Sequence, residues 1–288
     1  MRVLTVFLIS ILSFAAHANE FKVLTWNVFM LPKPLKFSKQ VERTRLISSQ
    51  LQKTDYDVVL FQEAFTRGFK NMVKKDLRKK YPYQAELKRS RKIKHLLNSG
   101  IYIASKYPLK VLGHHYFKRG THADQFASKG VLLVEVTLPD NQKVQIASTH
   151  TQATDSQKAV SIRAEQSKEI RSFLNLHKRP GVAQILGGDL NVNFYNQREY
   201  ENMISILNMQ DGDLDSHLDY TSGFEIRCYK KTNPSDKAKK LLDYILLDFN
   251  GSNLEPLQRQ VVEFNALMKS GQECPLSDHH AVEMILRY

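Results

Sequence analysis

Short apolar runs alternate with amphipathic segments along most of the chain. Each run is rich in Val, Ile, Leu and aromatic residues and has the length of a strand rather than of a helix. Two of the runs, 129–138 and 143–149, flank the sequence Pro-Asp-Asn-Gln, which predicts a hairpin. The predicted strands cover 21–28, 57–62, 100–105, 129–138, 143–149, 183–193, 241–247 and the residues from about 280 to the C-terminus.

Apolar residues recur at helical spacing between these strands. Four of them within 41–51 predict a helix over about 39–53, with Ser38 as its N-cap. Because helices are interleaved with hairpins and with single strands, we predict an α/β fold with mixed sheets, built as one domain. The other predicted helices lie in the basic segment that ends before Pro82, over about 156–176 and near 197–208.

The N-terminal residues have a different composition from the rest. A basic residue is followed by an apolar stretch over 3–14 and by Ala-His-Ala, which ends at Ala18. This order is typical of a secretory signal peptide, and the apolar stretch is too short to span a bilayer. We therefore expect residues 1–18 to be a signal peptide, 19–288 to be the folded domain, and the protein to be secreted or periplasmic.

The chain carries a net charge of +13, which favours anionic partners such as nucleic acid, acidic lipids or phosphorylated substrates. Basic residues are concentrated in 67–94. This segment is either a solvated helix face and loop or a surface that docks on a polyanion or a membrane. Cys228 and Cys274 are the only cysteines; they lack the spacing of a zinc site, and export permits a disulfide between them without requiring it.

Polar residues stand where several of the predicted strands begin or end. A buried polar group without a partner is costly, and ligand sites in α/β proteins gather at strand ends. We therefore expect these residues to form one site. They are Asn27, Glu63, His150, Asp189, Asn191, Asp278 and His279.

The chemistry of this set points to metal-assisted hydrolysis. Carboxylate and amide oxygens without cysteine ligands suit a hard cation, Mg²⁺ most naturally. A histidine can activate water or protonate a leaving oxygen, so the set fits hydrolysis of a phosphate ester. The sequence contains no Gly-x-Ser-x-Gly, His-Glu-x-x-His, Walker or Gly-x-Gly-x-x-Gly motif, which argues against the enzyme classes that use them.

Six short motifs, in their order along the chain, resemble the endonuclease/exonuclease/phosphatase superfamily. That resemblance implies a four-layer α/β sandwich of the DNase I-like type, in which two packed mixed β-sheets are flanked by helices. The motifs are TWNV (25–28), LFQEAF (60–65), STHTQA (148–153), GGDLNVN (187–193), LDYILL (242–247) and SDHHAV (277–282).

Within the superfamily, the chain looks most like the bacterial sphingomyelinase C branch. WNVFMLP and GGDLNVN are similar to motifs of that branch, as is the segment in which Asp124 stands five residues before Lys129. The resemblance implies Mg²⁺-dependent hydrolysis of sphingomyelin, or of a related choline phospholipid, to ceramide and phosphocholine. It also implies a monomer that contacts the membrane peripherally, with no transmembrane segment.

The resemblance assigns the metal and the base. Glu63 would hold Mg²⁺, with Asn27 close to it. His279 would be the general base that accepts a proton from the attacking water, and Asp243 would orient His279 and stabilise its charged form. By strand alternation, His280 should face away from the catalytic side.

The same resemblance assigns the groups around the phosphate. Asp189 and Asn191 would position the water and the phosphate. His150, paired with Asp278, would stabilise the pentacoordinate phosphorus or assist the leaving oxygen. Lys129 would contact the phosphate.

Two features leave alternatives open. The segment 261–276 has Phe264 as its only aromatic residue, whereas relatives carry an aromatic-rich hairpin there, so we do not expect membrane insertion through it. Adsorption through the basic segment 67–94 is the alternative. A secreted DNase I-like nuclease uses the same machinery and is the competing function.

Overall fold

The computed structural model describes residues 19–32, 39–91, 95–224, 226, 228 and 238–288. The predicted signal peptide and Ser38 lie outside the described residues, so both stay predictions. In the described ranges, no helix has the length and apolar character needed to cross a membrane.

The described ranges contain thirteen strands and four α-helices. The strands are β1 (Glu20–Asn27), β2 (Val58–Gln62), β3 (Tyr83–Glu86), β4 (Tyr102–Ser105), β5 (Leu109–Tyr116), β6 (Gly130–Thr137), β7 (Lys143–His150), β8 (Gln184–Asp189), β9 (Asp243–Asp248), β10 (Glu255–Val262), β11 (Asn265–Leu267), β12 (Glu273–Pro275) and β13 (Ala281–Arg287). The helices are α1 (Gln40–Lys53), α2 (Arg67–Asp76), α3 (Gln157–Asn175) and α4 (Gln197–Leu207).

The longer strands form two mixed sheets that pack face to face. One sheet has the order β10-β13-β1-β2-β4-β3 and the other has the order β5-β6-β7-β8-β9. A shared apolar core from both sheets lies between them, with Leu60 and Ile185 among its fully buried members. The sheets approach closely at Gly187, where an added Cβ would clash with the side chain of Leu60. The site residues can therefore meet at the strand ends of both sheets.

Helices cover the two outer faces. Ile47 of α1 and Phe69 of α2 pack against the outer face of the six-stranded sheet. Ile170 of α3 and Leu207 of α4 pack against the five-stranded sheet. This arrangement confirms the predicted four-layer α/β sandwich. The sequence prediction missed β3, β5, β10, β11 and β12, and it extended the strand that ends at Asp189 four residues too far.

A small hairpin, β11–β12, lies beside the active-site end of the six-stranded sheet. Cys274 in β12 is buried and forms a disulfide with Cys228, with the two Cα atoms 6.1 Å apart. At the base of the hairpin, the ring of Phe264 stacks on Trp26 with the centroids 4.5 Å apart. The disulfide that the sequence left open is therefore present, and it ties the hairpin to the loop that contains Cys228.

We expect the double substitution Cys228→Ser/Cys274→Ser to lower the free energy of unfolding by about 2–4 kcal/mol, because the disulfide closes a loop with a sequence separation of 46. Thermal unfolding with and without dithiothreitol measures this. The reductant should lower the Tm of the wild type and leave the Tm of the double variant unchanged. Equal Tm values for the oxidised wild type and the variant would contradict the expectation.

Candidate active site

Three functional side chains lie side by side on neighbouring strands of the five-stranded sheet. The register pairs His150 at the end of β7 with Asp189 at the end of β8, and Asp189 with Asp243 at the start of β9. Directly paired residues project from the same face of a sheet, so these three side chains form a row. All three are buried. Three positions that are far apart in sequence are thus brought together by strand pairing.

Asn27 connects this row to the other sheet. Its Nδ2 donates to Asp189 Oδ2 at 3.0 Å, and its Oδ1 accepts from the backbone N–H of Phe29 at 3.1 Å. The second bond fixes the orientation of the amide, so the NH₂ group faces Asp189. Phe29 adopts a left-handed backbone conformation with φ of 50°, which turns the chain back toward Asn27.

His279 is held between the two sheets by contacts on its side chain and its backbone. Its Nδ1 lies 2.8 Å from Asp243 Oδ2, and its Nε2 lies 3.9 Å from Asp189 Oδ2. The indole Nε1–H of Trp26 donates to the carbonyl of His279 at 3.0 Å. Ser277 Oγ accepts from the N–H of His279 at 3.3 Å and donates to the carbonyl of Asn27 at 2.5 Å. The structure therefore contains the predicted pair of His279 with Asp243.

The charges around His279 favour its protonated form. Burial lowers its pKa, but the neighbouring carboxylates of Asp243 and Asp189 raise it more, to about 10. Burial and the charge of Asp243 raise the pKa of Asp189 to about 6. The site therefore carries an excess of acidic groups that a cation would offset.

His280 points away from this row, as predicted. Its ring stacks on Phe224 with the centroids 3.9 Å apart, and its Nε2 lies 3.8 Å from Glu263 Oε1. Burial and the charge of His279 lower its pKa to about 4. His280 is a packing residue rather than a surface residue.

His150 has different partners from the predicted one. Its Nε2 lies 3.1 Å from Lys129 Nζ and 3.5 Å from Asp189 Oδ2, and its buried Nδ1 has no hydrogen-bond partner in the described ranges. The predicted pairing of His150 with Asp278 is therefore wrong, because the β7–β8 register places Asp189 beside it. Burial and the charge of Lys129 hold the pKa of His150 well below its usual value. The positive charge at this position belongs to Lys129, and His150 is neutral.

Lys129 is a buried cation with a full set of partners. Its Nζ lies 2.7 Å from the carbonyl of Thr151, 2.9 Å from Asp124 Oδ2 and 3.1 Å from His150 Nε2. An ammonium group has three N–H donors, so the predicted direct contact with phosphate would require one of these bonds to open. Asp124 also accepts from the N–H of Ala153 at 2.8 Å. Asp124 therefore fixes Lys129 beside His150. Asp124 stands five residues before Lys129 in the sequence, but this spacing did not predict the role.

Glu63 and Asp278 form a second acidic group near Asn27. Burial and then the charge of Asp278 raise the pKa of Glu63 to about 7. Its Oε2 is buried without a hydrogen-bond partner in the described part of the chain, and its backbone is left-handed with φ of 54°.

Asn191, which is also left-handed, donates from its backbone N–H to Asp189 Oδ1 at 2.9 Å and places its side chain beside Thr151.

Two groups of donors could hold a cation. Ligand atoms of Asp189, Asp243 and His279 all lie within 4.8 Å of one another. However, His279 Nδ1 and Asp243 Oδ2 already bind each other at 2.8 Å, so a cation that used either of these two atoms would compete with that bond. Glu63 instead offers a buried oxygen without a partner, beside the carboxylate of Asp278 and the amide of Asn27. The oxygen-rich Glu63 group fits a hard divalent cation better.

Sequence comparison places the chain in a family. The Endonuclease/Exonuclease/phosphatase family matches residues 24–279. The chain belongs to this family. The match extends from β1 to His279 and so includes every strand end that contributes to the site. The superfamily predicted from six short motifs is confirmed.

Its relatives include bacterial phospholipid hydrolases. The chain is 35% identical over 210 residues to sphingomyelinase C of Leptospira interrogans, and the match covers 66% of this chain and 37% of that protein. It is 32% identical over 261 residues to phospholipase C of Staphylococcus aureus, covering 85% of this chain and 78% of that protein. The predicted likeness to the sphingomyelinase C branch is confirmed.

A solved structure shows the same architecture. A beta toxin variant of Staphylococcus aureus, crystallised with bound magnesium ions, matches with a TM-score of 0.76 and 27% identity. The match covers 92% of this chain and 99% of that chain. The sandwich is therefore shared over its full extent.

Replacing Asp243 with asparagine should lower the pKa of His279 by at least about one unit, because the charge of Asp243 stabilises the imidazolium. NMR titration of the histidine ring resonances in EDTA measures this shift. The His280 resonance is the internal control and should titrate near pH 4 in both proteins. An unchanged pKa of His279 would show that Asp243 does not stabilise its charge.

Proposed function

We propose that the protein is a secreted, Mg²⁺-dependent phosphodiesterase that hydrolyses sphingomyelin to ceramide and phosphocholine. The observation that carries the proposal is the pair of His279 with Asp243, which is placed beside Asp189 and Asn27 where the two sheets meet. Similarity to sphingomyelinase C and phospholipase C of other bacteria supports the substrate class. Residues 1–18 would direct export, and the mature protein would be a monomer that contacts membranes peripherally.

The reaction requires a base for the attacking water. Asp243 occupies Nδ1 of His279, so Nε2 is the atom that accepts the proton. The oxygen of water then bonds to phosphorus as the bond from phosphorus to the ceramide oxygen breaks. Asp189 and Asn191 would orient the water and the phosphate at the end of β8. Asp243 stabilises the imidazolium that results.

The leaving oxygen requires a proton or a hydrogen-bond donor. Lys129 donates to His150 Nε2, so the proton of this neutral ring is on Nδ1, which has no partner among the described residues. This N–H is suited to donate a hydrogen bond to the ceramide oxygen as negative charge develops on it, and the proton that completes ceramide would come from solvent. Lys129 provides a fixed positive charge next to the ring, where low solvent exposure strengthens its effect.

Glu63 is the residue best placed to hold Mg²⁺, with Asn27 and Asp278 next to it. The bound cation would act as a Lewis acid on a phosphoryl oxygen and would lower the pKa of His279 into the range of a base. The raised pKa of Glu63 supports this assignment, because burial and the charge of Asp278 outweigh the nearby positive charges of His279 and Lys129.

The variant Glu63→Gln should bind Mg²⁺ roughly tenfold more weakly or worse, because it loses the anionic ligand. Calorimetric titration measures the affinity without relying on turnover. Glu165→Gln is the matched control. Glu165 lies on α3, where its exposed side chain pairs with Arg119, so this variant should leave the affinity for Mg²⁺ unchanged. If Glu63→Gln binds as the wild type does and Asp189→Asn does not, the cation lies at the Asp189 group instead.

The proposed activity is tested with two substrates. Purified mature protein should release phosphocholine from sphingomyelin vesicles with Mg²⁺ and not with EDTA, and it should leave plasmid DNA intact. His279→Ala should lower the rate by roughly 10²- to 10⁴-fold. His280→Phe, which retains the stacking on Phe224, is the neighbouring control and should keep most of the activity. Cleavage of DNA without release of phosphocholine would establish the nuclease alternative.

A further inference from the structure

Two large apolar side chains lie together on the surface near the catalytic end of the molecule. Leu96 is 67% exposed and Phe126 is 44% exposed. The N–H of Leu96 donates to the carbonyl of Phe126 at 2.9 Å, and the next residues, Leu97 and Ala127, form a parallel bridge. Because the backbones of Leu96 and Phe126 are hydrogen-bonded and both side chains are exposed, the two residues form one apolar patch.

The backbone holds this patch in an exposed position. The N–H of Leu97 also donates to the carbonyl of Phe126, at 3.0 Å, and the hydroxyl of Ser128 donates to the carbonyl of Leu97 at 2.9 Å. Ala127 and Ser128, which follow Phe126, are buried, and so is His95, which precedes Leu96, so the chain is anchored next to each exposed residue. Adjacent apolar side chains fixed in water are typical of an interaction surface rather than of isolated surface residues.

Exposed basic residues surround the patch. Arg89 and Arg91 flank Ser90, whose N–H donates to Ser128 Oγ at 3.0 Å. On the other side, Lys118 and Arg119 are exposed. They directly follow Phe117, whose N–H donates to the carbonyl of Lys129. Lys129 is the residue after Ser128, so this places the two basic residues beside the patch.

Two acidic residues of this region already bond basic partners, and Glu165 Oε1 lies 2.7 Å from Arg119 Nη1 on the rim. Asp124 lies two residues before Phe126, but its Oδ2 is directed inward and bonds Lys129 at 2.9 Å. An apolar pair within a basic rim is complementary to an anionic lipid surface, where the apolar side chains enter the interface and the cations meet headgroups.

We infer that Leu96 and Phe126, with Arg89 and Arg91, form the surface by which the protein docks on a bilayer containing anionic phospholipid. The location of catalysis supports this choice, because Phe126 is three residues from Lys129, whose Nζ lies 3.1 Å from His150. The inference deepens the proposed function, since it specifies how the enzyme would reach a substrate in a membrane. It rests on the proposed function only for the purpose of docking, because binding to vesicles can be measured without turnover.

The hairpin β11–β12 is a poorer candidate for this contact. Phe264 is buried against Trp26 and cannot also enter lipid. The hairpin does expose one apolar side chain, Leu267, at 67%. Leu267 is as exposed as Leu96, so a substitution there tests whether the hairpin is the docking surface instead.

Binding is tested in the His279→Ala background, so that turnover cannot alter the lipid. The measurement is co-sedimentation with phosphatidylcholine vesicles that contain or lack phosphatidylserine. Leu96→Asn/Phe126→Asn should weaken binding to the anionic vesicles by roughly tenfold or more, since two apolar side chains lose their transfer free energy. Leu176→Asn, at a leucine 82% exposed just after α3, and Leu267→Asn should bind as the parent does.

The charge contribution is tested separately. Arg89→Gln/Arg91→Gln should weaken binding to anionic vesicles severalfold, should reduce its dependence on salt, and should leave the Tm unchanged because both side chains are exposed. Equal binding by Leu96→Asn/Phe126→Asn and Leu176→Asn would overturn the inference, as would loss of binding in Leu267→Asn alone. In the first case a protein partner becomes the better explanation of the patch.

A kinetic measurement distinguishes this inference from the proposed function. In the active protein, Leu96→Asn/Phe126→Asn should lower the ratio of hydrolysis rates on sphingomyelin vesicles and on short-chain sphingomyelin below its micellar concentration. If the wild type hydrolyses neither substrate but docks through the patch, the proposed activity fails and the docking surface stands. If it hydrolyses both substrates and the ratio is the same in the variant, the docking surface fails and the activity stands.

Discussion

The hydrogen bond from Asn27 to Asp189 joins the ends of two different sheets, and the geometry of the site depends on it. The bond forms because the sheets approach closely at Gly187, two residues before Asp189. A side chain at Gly187 would clash with the end of the Leu60 side chain, so the packing between the layers would have to shift. The polar site thus requires tight apolar packing beneath it, since hydrogen bonds tolerate errors of only a few tenths of an ångström.

The strand ends of the site could be predicted from sequence because polar residues interrupt apolar runs there. Partners that depend on register could not be predicted in this way. His150 faces Asp189 rather than Asp278 because β7 and β8 pair in parallel, a long-range relation that no local pattern encodes. Two missed strands, β5 and β10, are edge strands whose exposed or half-buried residues weaken the apolar signal.

Two histidines of the site have opposite protonation preferences, although their sequence contexts do not distinguish them. Both are buried, which lowers the pKa of each. The carboxylates of Asp243 and Asp189 reverse this effect at His279, whereas the ammonium of Lys129 adds to it at His150. One fold therefore places a proton-accepting ring, stabilised when charged, opposite a ring kept neutral. The proposed roles of His279 as base and His150 as donor follow from these neighbours rather than from the residue type.

The hairpin β11–β12 supports the position of His279 through its core contacts. Phe264 stacks on Trp26, and the indole N–H of Trp26 holds the backbone of His279 at 3.0 Å. The disulfide at Cys274 fixes the same hairpin from its other strand. An aromatic residue that must stay packed to position a catalytic loop cannot leave that packing to enter a membrane. A surface with its own rigid backbone, separate from this support, can dock on lipid without disturbing His279.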